Sequence, residues 1–334
     1  MRTLVISDLH LGSRLRRDVL RHRAALDRLC HELEGVDRLV LLGDTVELLE
    51  GRPRAALVEA QPVLRAIGEA LGKGGDVVLL PGNHDHALVR PGVRARRATG
   101  EPLGLAGRVP LKSSPDLTAI ARWLKPARVQ VRYPGAWLGP GVYAHHGHYL
   151  DRHLARQPTL PTSGATPEDY ERALGTSIAA VGALMAASLP PILGEPADRI
   201  AGLIRLAGIA VLPLAASLPG APLLAPLSAG VLGFQFRRVG LPAMAAVTAR
   251  LGVEAEHVLF GHVHRAGPHA DDDAYEWRYR DARFWNTGCC VYEPLLLAGA
   301  TPPHPYWPGG AMLLEDGELT PLGLLDDVDP RALR

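Results

Sequence analysis

The chain has few cysteines, few aromatic residues and little net charge, and each shortage excludes a class of protein. Its 334 residues include three cysteines, Cys30, Cys289 and Cys290. Three are too few for a disulfide framework, and adjacent cysteines rarely pair with each other. Aromatic residues make up 5% of the chain and the net charge is +1, which argues against a nucleic-acid binder with a broad basic and aromatic surface. We therefore expect a protein of a reducing compartment that does not bind nucleic acid.

The remaining composition is that of a folded globular protein. Hydrophobic residues make up 47% of the chain and charged residues 21%, which provides a core and gives no sign of disorder. The length fits one elaborated α/β domain with a large insertion. A strand-like segment begins at Thr3 and leaves no room for a signal peptide. We expect a cytoplasmic protein, with peripheral contact at the inner face of the membrane left open.

The first part of the chain alternates apolar runs with helical stretches. The predicted elements are a strand at 3–7, a helix at 18–33, a strand at 38–42, a helix at 54–71 and a strand at 77–80. This pattern is typical of a βαβαβ unit with parallel strands. Ligands bind beyond the C-terminal ends of such strands, and polar residues follow each of the three.

The later part of the chain predicts more strands around a long apolar stretch. The predicted strands lie at 129–133, 142–146, 258–261, 284–286, 311–314 and 319–322. Residues 151–250 are rich in Ala, Leu and Pro, and we interpret them as a mainly helical insertion. Residues 1–150 and 251–334 then form one catalytic domain, whose C-terminal strands either rejoin the first sheet or form a second one packed on it.

Five polar clusters follow predicted strands, and their joint occurrence suggests a metal site. They are Asp8-Leu9-His10, Gly43-Asp44, Gly82-Asn83-His84-Asp85, His146-Gly147 and Gly261-His262-Val263-His264. Any one alone would be an ordinary turn or loop. Together they offer carboxylate, amide and imidazole ligands, which suit Mn²⁺, Fe or Zn²⁺, whereas a magnesium or calcium cage would use oxygen alone.

These five blocks, in this order, resemble the signature of the calcineurin-like metallophosphoesterases. Asn286-Thr287-Gly288 also resembles an Asn-x-Gly turn found in that family. The resemblance implies an α/β fold of the metallophosphoesterase type, a β-sandwich with βαβ units and flanking helices. It also implies two divalent metal ions, for which we expect Mn²⁺ first. One would be held by Asp8, His10, Asp44 and His264, and the other by Asp44, Asn83, His146 and His262.

The same resemblance implies a reaction and roles for two further residues. A hydroxide bridging the two metals would attack phosphorus in line. His84 would face the substrate and donate to a phosphoryl or leaving-group oxygen. Glu47, where many members of the family have Asp, would orient that imidazole. A solvated Glu47 at a helix start is the alternative.

The candidate substrate contacts are basic. Arg14, Arg94 and Arg97 follow two of the motifs and could form a rim that attracts an anion. Two solvated loops explain these arginines equally well. His148 follows the ligand candidate His146 and could line the site or have a structural role. The acidic run at 271–273 is interpreted as an exposed loop.

The motifs also favour a substrate class. The superfamily's phosphoprotein phosphatases carry Arg-Gly where this chain has Leu48-Leu49, and Glu where it has Asp85, which argues against a protein phosphatase. The first two blocks resemble the UDP-2,3-diacylglucosamine pyrophosphatase-like branch, although some of that branch have Arg where this chain has His84. We expect hydrolysis of a phosphodiester or pyrophosphate bond in a phosphorylated small molecule, nucleotide or lipid-linked substrate. The alternatives are a phosphomonoesterase, a nuclease and a scaffold without metals.

The insertion contains an uncharged run of 31 residues, 206–236. Its length could span a bilayer, but Pro213, Pro219, Pro222 and Pro226 are expected to break it into shorter pieces. A buried helical hairpin is one alternative. The other is an apolar lid beside the metals that recognises an amphipathic substrate, with peripheral membrane contact through residues 201–238. The sequence gives no oligomeric state.

Overall fold

The computed structural model describes residues 1–154, 164–171 and 221–334. Within these residues the strands are β1 Thr3–Ile6, β2 Arg38–Leu42, β3 Asp76–Leu80, β4 Ala106–Val109, β5 Arg128–Gly139, β6 Val142–His145, β7 His257–Phe260, β8 Ala266–Gly267, β9 Arg278–Tyr279, β10 Ala282–Thr287, β11 Gly310–Glu315 and β12 Glu318–Gly323. The α-helices are α1 Arg23–Leu33, α2 Pro53–Leu71, α3 Arg90–Ala98, α4 Pro115–Trp123, α5 Asp151–Leu154, α6 Pro167–Glu171, α7 Ala221–Gln235, α8 Leu241–Leu251 and α9 Pro294–Leu297.

The described strands form one continuous hydrogen-bonded sheet in a mixed α/β fold, as the sequence predicted. Its main order is β12-β11-β1-β2-β3-β5-β6-β7-β10-β8, with β4 beside β5 and β9 beside β10. The predicted parallel pairing of β1, β2 and β3 is confirmed. The C-terminal strands contribute to both ends of the sheet: β11 pairs with β1, and β7 pairs with β6.

The sheet folds back on itself at β5. The first half of this 12-residue strand pairs with β3, and its second half pairs with β6. Val5 and Leu42 of the first half share one hydrophobic cluster with Ala144 and Leu259 of the second. The two halves therefore face each other like the layers of a sandwich, with an apolar core between them.

Helices cover the outer faces of the sheet. Alternate side chains of β1 and β2, such as Leu4 and Leu39, point away from the inner core and pack in a second cluster with α1, α2 and α4. Because both faces are buried, these strands are almost continuously apolar, as parallel strands usually are. Polar residues are consequently placed where the strands end.

The C-terminal part of the insertion is one long helical segment. Helix α7 continues through a π-helical turn, Phe236–Gly240, into α8. Pro226 lies inside α7 and does not end it, contrary to the prediction. The N–H that proline lacks would bond to the carbonyl oxygen of residue 222, so the helix continues past Pro226 with that one hydrogen bond missing.

The rest of the uncharged run, including Pro213 and Pro219, lies outside the described residues. In the described part of the chain, no helix is both long and apolar enough to span a membrane.

Candidate metal centre

The seven predicted ligands lie at the C-terminal ends of five strands. Asp8 and His10 follow β1, Asp44 follows β2, Asn83 follows β3, His146 follows β6, and His262 and His264 follow β7. The fold at β5 brings the ends of the first three strands opposite the ends of β6 and β7. Three overlapping groups result, each with ligand atoms within 4.8 Å of one another. They are Asp8, His10 and His264; His10, Asp44 and His84; and Asp44, His146 and His262.

Backbone strain is concentrated at these residues. The described part of the chain has eight non-glycine residues with positive φ, and five of them are predicted ligands. These five are Asp8, His10, Asp44, His262 and His264, with φ between 45° and 71°. The left-handed conformation costs roughly 1–2 kcal/mol for each such residue. Strain of this kind persists where the surrounding structure fixes the backbone, and it clusters at functional sites.

Two glycines allow the imidazole of His146 to reach the centre. A Cβ atom at Gly43 would lie 2.1 Å from Nδ1 of His146. A Cβ atom at Gly82 would lie 2.4 Å from both Oδ1 of Asp44 and Cδ2 of His146. No larger residue fits at either position without displacing a predicted ligand, which explains the glycine in these two motifs.

The Asp8 side of the centre contains a carboxylate oxygen that has no hydrogen-bond partner among the described residues. Among the described residues, Oδ1 of Asp8 is buried without a hydrogen-bond donor. It lies 3.3 Å from Nε2 of His264 and 3.9 Å from Nε2 of His10. The two imidazole Nε2 atoms are 3.2 Å apart. Three ligand atoms therefore converge on one point.

The Asp44 side has the same arrangement. Nε2 of His146 lies 3.2 Å from Oδ2 of Asp44 and 3.2 Å from Oδ1 of Asn83. Oδ2 of Asp44 also lies 3.7 Å from Nε2 of His10, on the Asp8 side. Asp44 is thus the carboxylate shared between the two sides.

Two imidazoles donate through Nδ1, which leaves Nε2 as the atom that faces the other ligand candidates. Nδ1 of His146 lies 2.8 Å from the carbonyl oxygen of Leu42, so it must carry a proton and donate it. Nδ1 of His10 likewise donates to Oε2 of Glu47, at 2.8 Å. A neutral imidazole in either place directs its Nε2 lone pair at another acceptor. Such a set fits a divalent cation, because a cation is bound by the lone pairs that otherwise repel one another.

The charges of the centre are strongly coupled. Burial raises the pKa of Asp8, but the imidazoles of His146 and His264 outweigh it and lower the pKa to about 2. Burial also raises the pKa of Asp44, but the imidazoles of His146 and His84 outweigh it and hold the pKa well below its usual range. Burial lowers the pKa of His146, but Asp44 and Asp8 outweigh it and raise the pKa to about 9. Buried carboxylates here require adjacent positive charge, which a metal ion would supply in place of protons.

Glu47 contacts two imidazoles. Its carboxylate lies 2.8 Å from Nδ1 of His10 and 2.7 Å from Nδ1 of His84. It also accepts hydrogen bonds from the backbone of Leu49 and Glu50. The contact with His84 was expected, but the one with His10 was not. Glu47 is 3% exposed, so it is not the solvated residue of the alternative interpretation.

His84 belongs to the group that His10 and Asp44 form. Because Glu47 contacts Nδ1, Nε2 is the nitrogen of this imidazole that is left to meet a substrate. Burial lowers the pKa of His84, but Asp44 and Glu47 outweigh it and raise the pKa to about 10. A cationic imidazole in this position can donate a proton or stabilise a phosphoryl oxygen.

Asp85, for which the sequence suggested no role, joins two motif loops. One of its oxygens accepts from the backbone of Thr45 at 2.8 Å, and the other from the backbone of Gly82 at 2.7 Å. Burial and the nearby Asp44 raise its pKa to about 6. The position of Asp85 directly after Asn83-His84 was the only signal in the sequence.

The Asn286-Thr287-Gly288 turn supports the loop of His262. The side-chain amide of Asn286 donates to the carbonyl oxygen of Gly261 at 2.8 Å, and its oxygen accepts from the backbone of Gly288. The backbone N–H of His262 donates to Oδ2 of Asp8 at 2.9 Å. One predicted ligand therefore also fixes the backbone of another.

The proposed substrate contacts have two different environments. Arg14, Arg94 and Arg97 are exposed, and α3, which carries the last two, buries none of its residues. His148 is 1% exposed, with its ring against those of His145 and Tyr149. Burial and the neighbouring His145 keep its pKa well below the usual value. His148 is a neutral interior imidazole, which favours the structural role that the sequence left open over contact with a substrate.

The described ends of the insertion border the centre on two sides. On the His84 side, Glu171 of α6 lies 3.0 Å from Nε2 of His86 and accepts from the hydroxyls of Tyr133 and Tyr149. No sequence pattern indicated this cluster.

On the opposite side, an ion-pair cluster follows His264. Asp272 forms two short contacts with Arg265, at 2.6 and 2.8 Å, and one of 3.3 Å with Arg237, which follows α7. Its side chain is 2% exposed. The interpretation of 271–273 as an exposed loop is therefore wrong for Asp272, because its charge is compensated by two arginines.

The calcineurin-like phosphoesterase family profile matches residues 1–170, which is half of the chain. The chain belongs to the calcineurin-like phosphoesterase family. This family is generally hydrolytic and uses divalent metals. No curated protein matches the sequence. The match ends before His262 and His264, and the fold brings both to the groups formed by the matched region.

Proposed function

We propose that the protein hydrolyses a phosphodiester or pyrophosphate bond of an amphipathic, anionic substrate, with two divalent metal ions, Mn²⁺ first among them. One observation carries the proposal: imidazole nitrogens and carboxylate oxygens converge in three overlapping groups, and Asp44 lies close to His10 on one side and to His146 on the other. Bound there, two divalent ions would make a water molecule acidic enough to attack phosphorus at neutral pH and would neutralise phosphoryl oxygens.

The chain's own residues supply position and charge. Asp8, His10 and His264 would hold one ion, Asn83, His146 and His262 would hold the other, and Asp44 would be a ligand of both. His84 belongs to the same cluster of side chains, and we propose that its Nε2 donates to the leaving-group oxygen. Glu47 keeps that imidazole oriented and charged. The exposed Arg14, Arg94 and Arg97 would attract a second phosphate of the substrate.

Two features support an amphipathic substrate. The insertion borders the centre through Glu171 and through the Arg265–Asp272–Arg237 cluster. Helix α7 also carries large apolar side chains on its exposed face: Leu227 is 66%, Val231 42% and Phe234 53% exposed. An exposed apolar stripe is costly unless it meets an acyl chain, a membrane or a partner. The motif resemblance to the UDP-2,3-diacylglucosamine pyrophosphatase-like branch supports the substrate class, and the substrate itself stays a prediction.

The reaction class is tested with a panel of substrates. The purified protein with Mn²⁺ would be assayed on a bis-aryl phosphodiester, an aryl phosphomonoester, a nucleotide pyrophosphate and single-stranded DNA. We expect the diester or the pyrophosphate to be cleaved best. A preference for the monoester or for DNA would replace the proposal with a phosphomonoesterase or a nuclease. No cleavage by protein that has bound metal would favour a scaffold.

The apolar face is tested by substitution on its surface. Exchanging all of 201–238 would also remove the buried Leu232 and Phe236, so a triple variant, Leu227→Ser, Val231→Ser and Phe234→Ser, is cleaner. We expect lipid-linked pyrophosphate hydrolysis and liposome co-sedimentation to fall about tenfold, as expected from losing 1–2 kcal/mol of apolar contact. Hydrolysis of a soluble diester should not change. Val58→Ser, at an exposed site on α2, is the control, and equal responses of both substrates would contradict the lid.

A further inference from the structure

His262 has a hydrogen-bond partner that no motif assigns. Its Nε2 lies 3.0 Å from Oδ1 of Asp151, the first residue of α5. The Asp151 side chain is 13% exposed and that of His262 is 3% exposed. A carboxylate accepts, so the imidazole nitrogen that faces Asp151 carries the proton.

This contact sets His262 apart from the other ligand candidates. His10 and His146 donate through Nδ1 and leave Nε2 free. In His262 the order is reversed, because the hydrogen bond to Asp151 takes Nε2. Only Nδ1 can then offer a lone pair to the group that His262 forms with Asp44 and His146. The tautomer of His262 therefore decides whether its lone pair faces the centre at all.

The chain between His146 and Asp151 makes the arrangement compact. Gly147, with a φ of 114°, turns the chain, and the backbone of Leu150 donates to its carbonyl oxygen at 2.9 Å. The loop that supplies the ligand candidate His146 therefore also supplies the partner of His262, five residues later. Asp151 is also the first residue of the predicted insertion, 151–250.

We infer that Asp151 is a positioning residue that holds His262 as the Nε2–H tautomer and directs Nδ1 toward Asp44 and His146. This rests on the proposed function only for its catalytic consequence. The competing explanation is an ion pair that merely secures the base of the insertion.

Metal affinity separates these explanations. We expect Asp151→Ala to weaken Mn²⁺ binding about 10- to 100-fold, as loss of a residue that orients a metal-binding imidazole typically does. Asp151→Asn should restore most of the affinity, because its side-chain oxygen can accept the same hydrogen bond. Asp271→Ala, at an exposed acid, is the control. The melting temperatures of the metal-free variants should barely differ. A lower melting temperature of Asp151→Ala with unchanged Mn²⁺ affinity would show a purely structural ion pair and overturn the inference.

The tautomer can be read without any metal. In protein labelled with ¹⁵N-histidine, the imidazole signals of neutral His262, assigned with His262→Gln, should show Nε2–H in the native chain and in Asp151→Asn. In Asp151→Ala the Nδ1–H tautomer should appear. Unchanged signals would overturn the inference. This readout uses metal-free protein and does not depend on the proposed function. If the chain bound no Mn²⁺, the proposed function would be contradicted, but the imidazole signals would still show whether Asp151 sets the tautomer of His262.

Discussion

The metal centre and the insertion are held in place by different kinds of contact. In the centre, the loops at adjacent strand ends bond to one another's backbone, as Asp85 does with Thr45 and Gly82. The described part of the insertion packs through apolar side chains, such as Phe236 and Met244 in one cluster with Phe260 of β7. It also makes polar contacts far apart in sequence, such as Glu171 with His86. The centre is thus fixed by hydrogen bonds between strand-end loops, whereas the described part of the insertion is held by apolar packing together with individual polar contacts. Substitutions should affect all substrates in the first region and stability or substrate choice in the second.

The largest effect is expected in the centre, for Asp44→Asn. The carboxylate is shared by both sides, so we expect loss of metal and a fall in kcat/KM of more than about 10³-fold, beyond that for a single electrostatic donor. Glu47→Gln acts through His10 and His84 and should lose about 10- to 100-fold. Metal analysis and steady-state kinetics on the same samples give the comparison. Equal losses, with metal content unchanged in both, would show that Asp44 does not bridge.

The next effect tests how the insertion is attached. Glu171→Ala should leave the buried hydroxyls of Tyr133 and Tyr149 without their acceptor and destabilise the protein by about 2–4 kcal/mol. Burial and Glu171 hold the pKa of both tyrosines well above the usual value, so both remain neutral donors. Urea unfolding would measure the loss. Glu171→Gln keeps an acceptor oxygen and should lose less; identical losses would contradict this account of the contact.

His84→Ala should retain metal but lose about 10²-fold or more in turnover on substrates with poor leaving groups. A good leaving group needs no proton, so the loss should shrink as the leaving-group pKa falls. A series of aryl phosphodiesters measures this dependence. Loss of metal in His84→Ala would instead make His84 a ligand with His10 and Asp44, and a loss independent of the leaving group would indicate a purely electrostatic role.

The smallest effect concerns pH. The pKa of His10 is raised, and that of His146 is raised to about 9, in each case against the effect of burial. These protonated histidines stabilise the metal-free protein below the unfolded pKa of about 6.5, and the contribution of His146 is lost as the pH rises through about 9. A metal ion must displace these protons. We therefore expect Mn²⁺ affinity to rise with pH over that range, by about tenfold per pH unit for each proton displaced.

Calorimetry in buffers of different ionisation enthalpy would count the protons released on binding. Asp44→Asn removes a carboxylate that raises the pKa of His146, so any residual binding should depend less on pH. Affinity that is constant over the range would show that these imidazoles are already neutral.

Much of the fold follows from local patterns. Strands β1, β2 and β3 were predicted to within a residue or two because parallel strands buried on both faces are continuously apolar. The sequence missed α3, β4 and α4, which lie between the third motif and β5. Helix α3 buries no residue, so no apolar periodicity marks it. Pro226 was given too much weight, since α7 continues past it with one backbone hydrogen bond missing.

The candidate ligands could be chosen from sequence because each follows a strand and the chemistry needs those residue types. The sequence by itself determined the elements, the motifs and the donors at strand ends, since these depend on neighbours within a few residues. Only the tertiary structure decided which donors share Asp44, that Glu47 reaches both His10 and His84, and that Asp151 and Glu171 have partners at all. The contacts of Glu47 with the two histidines, of Asp151 with His262 and of Glu171 with His86 join residues 37 to 111 positions apart. Only the folding of the sheet at β5 and the docking of the insertion bring such residues within hydrogen-bond distance.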